Sequence, residues 1–177
     1  MARSYQIRDT FAAMSTFQMK HEMDMSAEKF WELFFNNDLQ KDIFLKVLAF
    51  PKWEVVDFKD GDKEITRVTK AQPKMEVPGP VAKLIGDGFG YSEKGTFDKG
   101  TKVYKFVITP TTMADKIKNE GVVKVEPKGD KCTRVVDITM EAKIFGIGGM
   151  IEKTFEKQTR EGWEASAKFL NEHVKKG

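Results

Sequence analysis

Cysteine and histidine are nearly missing from this chain of 177 residues, which holds one of the first and two of the second. Cys132 has no partner for an internal disulfide, which points to a reducing compartment, and its place at a strand start predicts an inert thiol. With only His21 and His173 beside it, the four ligands of a structural zinc site cannot be assembled, and the sequence offers no carboxylate cluster to take their place. No apolar run approaches the roughly 18 residues of a membrane span. Over residues 1–14, Arg3 and Arg8 are followed by Asp9 rather than by an apolar segment with a cleavage site, so no secretory signal is expected. Neither sign of charge dominates: 30 basic residues stand against 27 acidic ones, a net +3, spread along the chain and not massed for a nucleic-acid groove. These absences predict a cytoplasmic protein without metal, cofactor or nucleic-acid partner.

A hydrophobic share of 40%, with 11% aromatics, suits one soluble core and not two. A single domain is therefore expected over 15–177, preceded by an extension over 1–14. Residues 15–25 alternate, with Phe17, Met19, His21, Met23 and Met25 on one side, as in a half-buried strand. Ser26 is placed as an N-cap with Glu28 in the first turn. Phe30, Leu33 and Phe34 then recur at helical spacing, with Trp31 and Phe35 on a second flank. A second short helix carries Leu39, Ile43, Val47 and Leu48 and stops before Pro51. From Lys52 the pattern turns to strands: a hairpin around Asp60 and Gly61, then Tyr91–Phe97, Lys102–Thr109, Lys116–Pro127 and a closing strand, Val135–Ile144. One side of these strands is apolar: Tyr104, Phe106 and Ile108; Val123 and Val125; Val136, Ile138, Met140 and Ala142.

The closing strand runs through Gly146, Gly148 and Gly149 into a helix predicted from Met150 to about Lys175. Its apolar stripe, Ile151, Phe155, Trp163, Phe169, Leu170 and Val174, is interrupted by Thr159, Gly162 and Ser166. A glycine in mid-helix costs about 1 kcal/mol relative to alanine, so Gly162 asks for a reason of space. The expectation is that this helix closes a cavity rather than filling it. A dinucleotide site at the three glycines is excluded, because no parallel strand and acidic residue follow at the required distance. A tight turn that starts the helix close to the sheet remains.

One strand, two short helices, about six strands and a long C-terminal helix form an order that resembles the helix-grip fold of the START-like (SRPBCC) superfamily, over residues 15–175. The segment from Ile144 through the glycines to Glu152 is similar to that of an uncharacterised bacterial branch. The resemblance implies an α+β fold, a curved and mostly antiparallel sheet around the C-terminal helix, and an interior cavity for lipids or other apolar molecules. The superfamily also holds aromatase and cyclase enzymes and a co-chaperone, so the fold does not fix the function.

The expected cavity lining is Met19, His21, Met23, Phe34, Met75, Leu84, Ile85, Tyr104, Phe106, Ile108, Val123, Val125, Ile138, Met140, Ile151, Phe155, Thr159, Gly162 and Ser166. Methionines there suit a pocket that adapts to apolar ligands, though they also fill ordinary cores. Met113, Phe145, Ile147 and Met150 are expected in entrance loops, and the long 73–90 insertion in a lid; plain core packing is the alternative for each. His21 is either a satisfied core residue, a cavity hydrogen-bonding group or a general base. Tyr104 is placed to orient a polar ligand end, and Arg67, Thr69 and Glu93 are polar cavity groups unless they face solvent. The function expected is binding, and transfer, of a hydrophobic small molecule or lipid, with transient contact at a membrane surface. The alternatives are a cyclase or aromatase-type enzyme in the same cavity and a solid-core interaction module. Convergent ionisable groups favour the enzyme, a continuous apolar lining the carrier, and the lack of any void the interaction module.

Overall fold

The computed structural model describes residues 14–176; of the expected N-terminal extension, all but Met14 lies outside them. Strand β1, Ser15–Met23, opens the fold. Helix α1, Ala27–Phe34, follows, and Ser26 Oγ caps it by accepting from Lys29 N–H at 3.2 Å. Asn36 Oδ1 caps α2, Asn37–Asp42, through Leu39 N–H at 3.0 Å. The second helix then widens into a π-helical turn, Ile43–Val47, closed by Leu48 N–H donating to Ile43 O at 2.9 Å. The sequence from Ile43 to Phe50 is apolar on too many sides for a one-faced α-helix. In the wider turn Ile43 is buried, Phe44 and Leu48 are half-buried and Val47 is exposed at the margin.

Strands β2, Lys52–Asp60, and β3, Glu64–Gln72, form the expected hairpin. After the short helix α3, Gly79–Ile85, come β4, Tyr91–Asp98, β5, Val103–Pro110, β6, Ile117–Lys128, and β7, Lys131–Ala142. Every pairing is antiparallel, in the order β1-β7-β6-β5-β4-β3-β2. Helix α4, Gly148–Lys176, closes the chain; its 29 residues span about 43 Å at 1.5 Å per residue. The closing strand begins at Lys131, four residues earlier than its apolar run. Cys132 and Arg134 share the inward face with Val136, and the charge of Arg134 masks the alternation.

The β7–α4 turn is tight for two local reasons. Gly146 has φ +80°, a left-handed backbone that favours glycine, and a Cβ on Gly148 would overlap the Ala142 carbonyl. Glu152 is buried and accepts Ala142 N–H at 2.9 Å, tying the first turn of α4 to the end of β7. The main core joins β1, α1 and the sheet to the C-terminal half of α4 through Ala167 and Leu170. A second cluster, Val81, Ile85, Phe89, Met140, Ala142 and Ile151, packs α3 against the other end of α4.

Candidate functional site

Between these two clusters α4 touches β1 and β7 but stands off the middle strands of the sheet. A cavity of about 480 Å³ remains, partly open to solvent, between β3–β7, the 73–76 segment, the π-helical turn and the middle of α4. Ten of the expected lining residues surround it: Phe34, Met75, Tyr104, Phe106, Ile108, Ile138, Phe155, Thr159, Gly162 and Ser166. Thr159, Gly162 and Ser166, the small residues that interrupt the apolar stripe of α4, all face this space.

Nine others do not line it. Met19, Met23 and Val123 are buried in the main core and Val125 packs against it, because α1 and the C-terminal half of α4 cover that end of the sheet. Ile85, Met140 and Ile151 belong to the second cluster, which α3 completes. Leu84 is exposed, since the short α3 buries its Val81 and Ile85 face and leaves Leu84 at the side. His21 is buried, with Nε2 3.5 Å from Glu164 Oε2. Burial first, and then the charge of Arg134, lower its pKa to about 4, so it stands neutral and outside the cavity. The four expected entrance residues also lie elsewhere: Met113 and Ile147 pack against the second cluster, while Phe145 and Met150 are exposed. The 73–90 insertion divides, with Met75 at the cavity and Val81, Ile85 and Phe89 in the second cluster.

Two glycines absent from the expectation keep the cavity open. In cross-strand register, Gly95, Phe106 and Gly121 lie side by side on β4, β5 and β6. A Cβ on Gly95 would overlap the Tyr104 phenol, and one on Gly121 the Phe106 ring. Both rings therefore lie down over neighbouring strands instead of standing up into the interior. An isolated glycine in each strand was the available sign. The π-helical turn supplies the other missed lining, Ile43, Phe44, Val47 and Leu48, and Phe44 stacks on Trp53 at 4.9 Å between ring centroids.

The lining is apolar with a polar inset. Register aligns Thr69, Glu93, Ile108 and Asn119 across four strands, one step from Arg67. Arg67 is buried, and its Nη1 donates to Phe34 O at 2.9 Å. Its guanidinium carbon sits 5.0, 5.6 and 5.7 Å from the ring centroids of Phe34, Phe35 and Tyr104, an aromatic setting that favours a cation. The Tyr104 hydroxyl donates to Glu93 Oε1 at 2.7 Å; burial, reinforced by the Glu93 charge, raises its pKa well above the ordinary phenol value. Tyr91 is pushed up by the same two causes in the same order. At the α4 side, Arg134 donates from Nη1 to Ser166 Oγ at 3.1 Å and from Nη2 to Trp163 O at 2.6 Å. Arg67 Nε, Arg134 Nε and Asn119 Oδ1 have no hydrogen-bond partner in the protein.

Among the described residues no group of three metal-ligating side chains converges, and no helix is long and apolar enough to cross a membrane. Cys132 is fully buried, and burial raises its thiol pKa to about 11.

A curved antiparallel sheet, two short helices after the first strand and a long closing helix over a cavity define the helix-grip fold of START-like proteins. Solved structures share it at low sequence identity. The Zhui aromatase/cyclase from a Streptomyces species superposes with TM-score 0.65 at 12% identity, covering 91% of this chain and 96% of that one. A point mutant of norcoclaurine synthase from Thalictrum flavum gives 0.64 at 18%, covering 93% and 98%. A START superfamily protein from Mycobacterium smegmatis gives 0.57 at 15%, covering 91% and 97%. No curated protein sequence matches the chain. Residues 18–174 match the family described as Protein of unknown function (DUF2505), and the chain belongs to that family.

Proposed function

We propose that this protein binds one hydrophobic small molecule or lipid in the cavity between sheet and α4. The observation that carries the reading is the cavity of about 480 Å³ whose walls are mainly apolar and aromatic, within the range of small-molecule sites. The small residues Thr159, Gly162 and Ser166 on the closing helix support it, since a helix meant only to fill a core has no use for them. A ligand burying about 300 Å² of apolar surface would gain roughly 7 kcal/mol at 25 cal/mol per Å² before association and ordering costs, a substantial gross driving force that polar contacts would supplement. The test is a titration of the full chain with Nile red, a neutral apolar fluorophore. Saturable one-to-one binding supports the reading, and no binding above a control protein contradicts it. The exposed Phe145 and Met150 are the surface proposed for transient membrane contact during ligand exchange. Co-sedimentation with phospholipid vesicles that Phe145→Ser leaves unchanged would remove Phe145 from that role.

A second reading, an enzyme acting in the same cavity, is favoured by one observation. Arg67, Tyr104 and Glu93 converge on its wall, with Tyr104 held as a neutral donor and its hydroxyl bonded to the Glu93 carboxylate. Such a group is equipped to hold or move a proton. If Glu93→Gln binds Nile red as the unmodified chain does, and turnover of a bound compound is lost with it, the enzyme reading is favoured; unchanged turnover counts against it.

A further inference from the structure

Arg134 is 1% exposed and lines the cavity at the end nearest Ser166 and Leu170. Both of its hydrogen-bond partners, Ser166 Oγ and the Trp163 carbonyl, are neutral. Its carbon lies 4.8 Å from the Trp163 ring centroid, and His21, opposite it in the β1–β7 register, is neutral as well. The carboxylate whose field reaches it, Glu164, has a side chain that is 76% exposed and so well screened. A guanidinium carries five N–H donors. Two have partners, and Nε–H is buried without one.

A buried cation without a counter-ion is expensive to keep. Holding α4 to β7 by two bonds to neutral oxygens does not require a charge, and the Trp163 ring, which attracts the cation, supplies no counter-charge. The opposite end of the polar inset differs, because there the Glu93 carboxylate shares the Tyr104 site with Arg67 and already supplies a negative charge.

Resting on the cavity-binding reading above, we propose that the ligand is an amphipathic carboxylate whose charged end pairs with Arg134 while its apolar body lies along Ile138 and Phe106. An arginine facing a carboxylate forms the strong, charge-assisted kind of hydrogen bond. Such a ligand would supply the missing counter-charge at the guanidinium edge that borders the cavity.

The experiment is displacement of Nile red from the full chain at pH 7.5 by three compounds of one chain length: dodecanoate, methyl dodecanoate and 1-dodecanol. Dodecanoate is expected to displace at a concentration at least tenfold below the other two. Arg134→Met should abolish that gap, and Arg134→Lys should keep part of it. Equal potency of acid, ester and alcohol on the unmodified chain overturns the inference even if Arg134→Met does not fold. Retention of the tenfold preference in a folded Arg134→Met protein overturns it too. Nile red binding with displacement by ester and alcohol but not acid sinks the carboxylate and spares the cavity; failure of Nile red itself to bind sinks both.

Discussion

Replacing Gly162 separates helix stability from cavity volume. A Cβ at this position would lie 3.9 Å from both Leu48 δ-carbons, in ordinary contact. Gly162→Ala therefore meets no obstruction and should gain about 1 kcal/mol of helix propensity, raising Tm by roughly 2–4 °C for a domain of this size. Gly162→Leu keeps most of that gain but sends a branched side chain into the space between α4 and the π-helical turn. If it displaces 60–80 Å² of ligand contact, about 1.5–2 kcal/mol of binding is lost at 25 cal/mol per Å², a rise in Kd of roughly 10- to 30-fold. The assay is Nile red titration of each variant beside its thermal melt. A folded Gly162→Leu protein with unchanged affinity and stoichiometry would refute this placement of the site.

Other positions yield predictions of different kinds. His21 has a pKa of about 4 when folded against about 6.5 unfolded, so the unfolded chain takes up the proton first as pH falls. Its contribution is present above pH 6.5 and is lost progressively toward pH 4, by about 3 kcal/mol in all. Urea unfolding across pH 4–7.5 should show a shallower pH slope in His21→Gln, and identical slopes would contradict the assignment. Gly95→Ala and Gly121→Ala push the Tyr104 and Phe106 rings off their neighbouring strands, at a cost of about 1–3 kcal/mol. Both should also weaken Nile red binding, and wild-type melting of either argues against the ring placement. Glu152→Ala strands the Ala142 N–H and should cost about 1–3 kcal/mol in urea unfolding, with Glu152→Gln much milder. Equal losses in the two variants would show that the bond to Ala142 is not what matters.

The sheet was legible because its inward residues obey period two. Phe17, Met19, His21, Met23, Tyr104, Phe106, Val123, Val136, Ile138 and Met140 are all buried. Alternation reports which face a residue points to and not what covers it. Met19, Met23 and Val123 therefore looked the same as Tyr104, Phe106 and Ile138, although only the second set borders the cavity. Helix α4 was more informative, since Thr159, Gly162 and Ser166 are too small to fill space and so marked where space is left. The π-helical turn was unreadable from a 3.6-residue period. Arg134 was missed because a charge in an apolar strand reads as an outward position until the partner helix is in place.

Native mass spectrometry of the freshly purified full chain addresses the interior guest directly. The chain should carry one non-covalent small molecule per copy, released as an anion on activation, and the adduct should be much depleted in Gly162→Leu prepared identically. Spectra in which both proteins fly at their bare sequence mass would contradict a cavity that is occupied in the cell.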